Sequence, residues 1–161
     1  MTSKDHRPYR AVPAGTEDWH MHGHDGSREA GRQECLRLLA SVSIGRVVCT
    51  LDALPAVVPV TFQLDDDRGV LLCTSARSRL VRATDGHVVA FQADRFDEPE
   101  GTGWSVTVTG RASVVTDPEE SARLRATGSH PWVPAAEQVF IRIAPELVSG
   151  RVLAAATARA S

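Results

Sequence analysis

The segment "GWSVTVTGRASVV", residues 103–115, alternates apolar and polar side chains along its length. Successive side chains of an extended chain point to opposite faces, so this pattern predicts a long β-strand with one face buried and one wet. Gly110 interrupts it where a bulge or bend is expected.

The neighbouring segments follow the same logic. "IGRVVCTL" (44–51) reads as a strand, "DALP" as a tight connection, and "AVVPVTFQL" (56–64) as the second arm of a hairpin. Pro59 lies inside that second arm. It has no N–H to give a ladder, so it belongs at a sheet edge, at a bulge, or where something other than a strand meets the backbone. "DDDRG" predicts a turn, "VLLCT" a third strand, "HVVAFQADRF" a fourth, and "EQVFIRIAPELVSGRVL" a last strand bent at Pro145. Helical spacing appears at Cys35, Leu36, Leu38, Leu39 and Val42, with Ser27 as the expected N-cap. Short helices are expected over 76–84, capped by Ser75, and over "DPEESARLRA", whose acidic start suits a helix dipole. The expected fold is mostly β: a small six-stranded antiparallel β-barrel with short flanking α-helices. Residues 1–26 are expected to be a flexible tail, 27–153 the folded domain, and 154–161 a disordered end.

Composition narrows the function. With 42% hydrophobic and 24% charged residues, the chain has the make-up of a soluble globular protein. A net charge of −2 and the lack of a long basic run argue against nucleic acid as the main partner. Cys35, Cys49 and Cys73 are widely spaced among apolar residues, with no CxxC pair, so buried thiols in a reducing, cytoplasmic compartment are expected. No apolar stretch approaches a membrane span.

Most familiar sites are absent from the sequence. It contains no GxGxxG, no GxxxxGK[ST] and no GxSxG. His87 and His130 are isolated, and "DDDRG" lacks the twelve-residue spacing of a calcium loop. In "DWHMHGHDG", His20, His22 and His24 would share one face of an extended chain, but no further ligand closes a metal site there, and none is assigned. One stretch remains. In "LLCTSARSRL" an apolar run ends at Thr74, and Ser75, Ser78 and Arg79 follow, with Arg77 toward the rim. Hydroxyls, the amides of a helix start and a guanidinium are the groups that hold a phosphate monoester. Taken alone, a solvated strand-helix junction explains them as well.

The ordered set "ECLRLLASVSIGRVVCT", "PAVVPVTFQL", "GVLLCTSARSRL", "VVAFQAD", "GWSVTVTGRA" and "FIRIAPELVSGR" resembles the pyridoxamine 5′-phosphate oxidase-like family of flavin-binding split barrels. That resemblance implies that the fold is a six-stranded antiparallel split β-barrel with short flanking α-helices, with FMN as cofactor and a homodimer with its sites at the subunit interface. Val58, Pro59 and Val60 would run beside the isoalloxazine ring, Thr74 and Ser75 would reach the ribityl phosphate, and Ser78 and Arg79 would clamp the phosphate. Trp104 and Ser105 would come from the partner subunit, although plain packing also accounts for Trp104. The resemblance further implies a small-molecule substrate, with hydride moving between FMN and a nicotinamide or small organic compound.

The departures matter as well. The vitamin B6 oxidases carry arginine where Val58 stands and a second basic residue where Leu80 stands. Their C-terminal Trp and Arg segment has no counterpart in "AAATARAS". Oxidation of vitamin B6 is therefore not expected. The thinner clamp leaves a deazaflavin or haem as alternative ligands, and a non-catalytic carrier or sensor as the alternative role.

Overall fold

A computed structural model describes residues 26–128 and 132–155. The expectations for residues 1–25, including His20, His22 and His24, for His130 and for 156–161 lie outside the described residues.

The strands are β1 (Ser27–Ala30), β2 (Ile44–Leu51), β3 (Leu54–Leu64), β4 (Val70–Ser75), β5 (Val88–Asp97), β6 (Thr102–Val114), β7 (Gln138–Ile143) and β8 (Leu147–Leu153). The helices are α1 (Arg32–Leu39), α2 (Arg79–Thr84) and α3 (Pro118–Thr127), with a 3-10 turn at Ala135–Glu137. All strand pairs are antiparallel. The sheet runs β1-β8-β6-β5-β2-β3-β4-β7, and a further β6–β7 pairing closes six of these strands into the expected barrel.

β6 makes the closure possible. One edge pairs with β5 throughout, from Val88↔Arg111 to Asp97↔Thr102. The other edge pairs first with β8, up to Thr109↔Leu147, and then with β7, from Ala112↔Ile143. Gly110 stands where one partner replaces the other. Its pairing with Val89 continues the β5 register, so no bulge interrupts β6 on that edge. The long last strand breaks at Pro145 into β7, which joins the barrel, and β8, which leaves it.

The alternation read from the sequence fills the barrel. Val47, Val60, Phe62, Val70, Leu72, Phe91, Val106, Val108, Ile141 and Ile143 are buried together, and Cys35, Leu36 and Leu39 join them from α1. The Phe62 and Phe91 rings meet tilted, with centroids 4.6 Å apart, a favourable aromatic geometry. β4 is buried on both faces, because Leu71 and Cys73 pack outward with Leu124 and Phe140 in a second cluster. Among the described residues, no helix is long and apolar enough to cross a membrane.

Two boundaries differ from expectation. Ser27 caps no helix. Residues 27–30 pair with β8, from Ser27↔Leu153 to Ala30↔Gly150, and α1 begins after Gly31. A distant strand supplies backbone partners that override the local capping preference. Likewise α2 is capped by Ser78, whose hydroxyl accepts from the Leu80 N–H. Ser75 is still in β4, opposite Gln138.

Candidate functional site

Two strands that begin as neighbours part company at the site. β3 and β4 pair only from Leu64↔Val70 to Thr61↔Cys73. Beyond that point β4 runs on beside β7, with Thr74↔Val139 and Ser75↔Gln138, while residues 54–60 of β3 pair with β2 alone among the described residues. The result is a split with Val58, Pro59 and Val60 on one lip and Thr74 and Ser75 on the other. Pro59 fits here because this length of β3 is a sheet edge, where a missing N–H breaks no ladder. Val58 and Val60 turn their side chains toward the core, and their backbone groups share the parity of Phe62, whose N–H donates to the Ser43 carbonyl on the β2 side, whereas Pro59 faces outward with its carbonyl at the free edge.

At the far end of the split the chain turns into α2. Ser78 N–H donates to the Ser75 carbonyl, and Ser75 Oγ accepts from the Arg77 N–H at 3.2 Å. Ser75 Oγ also donates to Glu137 Oε2 at 3.2 Å, and Arg77 lies 3.9 Å from the other oxygen of that carboxylate. Arg79, the first residue of α2, pairs with Asp52 at the tip of the β2–β3 hairpin. That tip holds Asp52 and Ala53 at φ 49° and 62°, the left-handed pair that a two-residue hairpin turn requires. A small groove of about 220 Å³ lies between Thr50, Asp52, Arg79 and Arg82. Each arginine of "SARSR" therefore already touches a carboxylate, from segments that sequence spacing did not connect to it.

The structure thus gathers Val58, Pro59, Val60, Thr74, Ser75, Ser78 and Arg79 around one split. It does not bring Trp104 and Ser105 of the same chain there. Trp104 is 8% exposed, its ring inside the barrel core, while Ser105 points to the outer face of β6.

That outer face holds a polar group that the sequence reading missed. Register places Pro59, Arg46, Gln92 and Thr107 in one row across β3, β2, β5 and β6, with Asp94 opposite Ser105 one step along. Arg46 Nη1 donates to Gln92 Oε1 at 3.2 Å and to Asp94 Oδ2 at 3.3 Å. Gln92 Nε2 donates to Asp94 Oδ2 at 2.5 Å and to Ser105 Oγ at 3.2 Å. The signal was available: Arg46 in "IGRVVCTL" and Gln92 and Asp94 in "VVAFQAD" share the outward parity of their strands. Around this group the face is apolar, with Ile44, Val48, Val57 and Val88 all exposed.

The sequence of residues 31–152 matches the family model described as "Pyridoxamine 5′-phosphate oxidase". The chain belongs to this family. An uncharacterised protein of Mycobacterium tuberculosis, Rv0080, is 48% identical over 126 residues, covering 76% of this chain and 82% of that one. Among solved structures, the FAD binding protein from Mycobacterium smegmatis is 32% identical with a TM-score of 0.69, covering 80% of this chain and 100% of that one. A putative pyridoxamine 5′-phosphate oxidase from Corynebacterium glutamicum is 29% identical with a TM-score of 0.70, covering 83% and 97%. Val58 and Leu80 are apolar, and Leu80 is buried beneath α2, where a cation could not replace it without burying its charge.

Proposed function

We propose that this chain is a flavin-dependent oxidoreductase of the cytoplasm that binds FMN in the β3–β4 split. It would move hydride between the flavin and a nicotinamide or small organic substrate. The observation that carries this reading is the split itself, with a free backbone edge at Val58–Val60 facing a strand-helix junction that bears Thr74, Ser75, Ser78 and Arg79. The name of the 32% identical M. smegmatis relative supports a flavin and favours FAD as the second reading.

A bound flavin supplies the hydride chemistry, and the protein supplies position and field. The free edge along Val58–Val60, where Pro59 presents its carbonyl, would meet the polar rim of the ring. The Pro59 side chain would pack beside it. Arg79 and the hydroxyls of Ser75 and Ser78 would hold phosphate, with the phosphate displacing Asp52 and Glu137 from the two arginines. The exposed apolar face around Val48 and Val57 gives a second copy of the chain a surface to cover. A homodimer built there would bring the partner's outward Ser105, with Trp104 beneath it, to the cleft and exclude water from it.

The test is direct. The purified protein, with FMN or FAD added, should show a flavin band near about 450 nm that stays with the protein through gel filtration, at the elution volume of a dimer. Turnover of a reduced nicotinamide by the yellow protein would establish the reaction. Protein that retains neither flavin overturns the proposal. A retained band shifted toward deazaflavin or haem optics would replace the cofactor and keep the split.

A further inference from the structure

Beside the polar row on the outer face lies an open groove of about 520 Å³. It runs between the α1–β2 connection and strands β2 and β5, lined by Ser41, Val42, Ile44, Arg46, Asp94 and Arg95 among others. Its size is that of a small-molecule site. The charges in it do not cancel. Arg46 holds Asp94 at 3.3 Å, so one guanidinium and one carboxylate are matched. Arg95 reaches only the Ser41 carbonyl, at 3.5 Å, and meets no carboxylate among the described residues. The groove therefore offers one uncompensated guanidinium, a second within the same walls, and apolar side chains between them.

A guanidinium presents paired N–H groups that match a carboxylate in two parallel bonds. An apolar wall next to it selects a ligand with a hydrophobic body. The groove also has a place relative to the split, because Arg46 stands directly across from Pro59 in the β2–β3 register. We propose that it is a carboxylate-binding pocket that admits a small organic acid to the flavin. The body of the acid would lie against Val42 and Ile44, and its carboxylate would lie on Arg95, with Arg46 alongside. The role as substrate pocket rests on the flavin reading above, whereas carboxylate recognition rests on the groove alone.

Benzoate is a suitable probe, with benzamide as its uncharged shape match. Titrated into the full chain loaded with flavin, benzoate should shift the flavin spectrum saturably, and benzamide should not. Arg95→Gln should weaken benzoate binding at least tenfold, whereas Arg95→Lys should keep part of it, and both variants should melt with the parent. Equal binding of benzoate and benzamide, or unchanged benzoate binding by Arg95→Gln, overturns the proposal. Calorimetry on flavin-free protein separates the two readings. Arg95-dependent benzoate binding by a chain that takes no flavin keeps the carboxylate pocket and overturns the flavin reading. A yellow protein that binds no benzoate does the reverse.

Discussion

Gly110 and Ala144 are packed backbone to backbone, so that a Cβ on Gly110 would stand 1.8 Å from the Ala144 carbonyl oxygen. The same Cβ would lie 3.3 Å from the Glu146 amide nitrogen. This is the point at which β6 exchanges β8 for β7, and the chain bends through Pro145 directly against it. Both neighbours are backbone, which cannot swing aside as a side chain can. Gly110→Ala should therefore cost about 1–3 kcal/mol or more, as overpacking does. A urea melt reads this as a lower midpoint. Gly31→Ser, placed in open space at the α1 cap, should change it by only a few tenths of a kcal/mol. A Gly110→Ala midpoint equal to that of the parent would mean that the β7–β8 bend is not held by this contact.

The parity of residues 103–115 and the position of Pro59 made most of the barrel legible, because both are local consequences of strand geometry. The same local logic failed at Ser27 and Ser75. Each hydroxyl is a good cap, but a strand partner far along the chain claims its residue first: Leu153 for Ser27 and Gln138 for Ser75. Nothing near either serine encodes that competition. For Ser75 the true cap was three residues away and chemically identical, so only the β4–β7 register distinguishes them.

Arg142 ties together two segments that sequence alone would not connect. Its Nε meets Asp65 Oδ2 at 2.7 Å and its Nη2 meets Glu120 Oε1 at 2.6 Å, joining β7 to the β3–β4 turn and to α3. The side chain is 33% exposed, so the pairs are partly screened and worth less than buried ones. Arg142→Met leaves Asp65 without its cation and Glu120 with only Arg123 at 4.0 Å, and should destabilise the fold by about 1–2 kcal/mol. Adding Asp65→Asn and Glu120→Gln should restore part of that loss in the same denaturation assay. A single variant as stable as the parent would show that the network is ornamental.

Burial pushes the Cys73 thiol up to about 11 from its ordinary 9.0, with Arg125 offsetting a part. The unfolded chain releases that proton near the ordinary value and the folded chain holds it longer. The resulting stabilisation is whole below about pH 9 and is lost as pH rises through about 11, and it amounts to roughly 2–3 kcal/mol. Cys35 and Cys49 are raised by burial as well. Unfolding free energy should therefore fall between pH 9 and 11, and fall less steeply in Cys73→Ala, which also starts lower because of the cavity it leaves. Parallel pH profiles for the two proteins would rule out Cys73 as the source. At pH 8 the native thiol should resist alkylation that the denatured chain undergoes readily.

The split was readable from residue order, whereas its charge balance was not. Asp52 and Glu137 come from a hairpin tip and a 3-10 turn, and neither segment resembles a ligand site in sequence. They change what is expected of Arg79. Substitution to alanine should weaken FMN binding by about 1.5–3 kcal/mol, the worth of a hydrogen bond to a charged group. Riboflavin, which has no phosphate, should bind the variant and the parent alike. The opposite change should come from Asp52→Asn, which frees the guanidinium that the ligand-free chain holds in its pair. Because both side chains are exposed, that gain should be limited, up to about fivefold tighter FMN. Fluorescence titration of both variants with both flavins separates these effects. FMN affinity untouched by Arg79→Ala would move the phosphate away from α2, and a riboflavin loss matching the FMN loss would show that Arg79 shapes the split without touching phosphate.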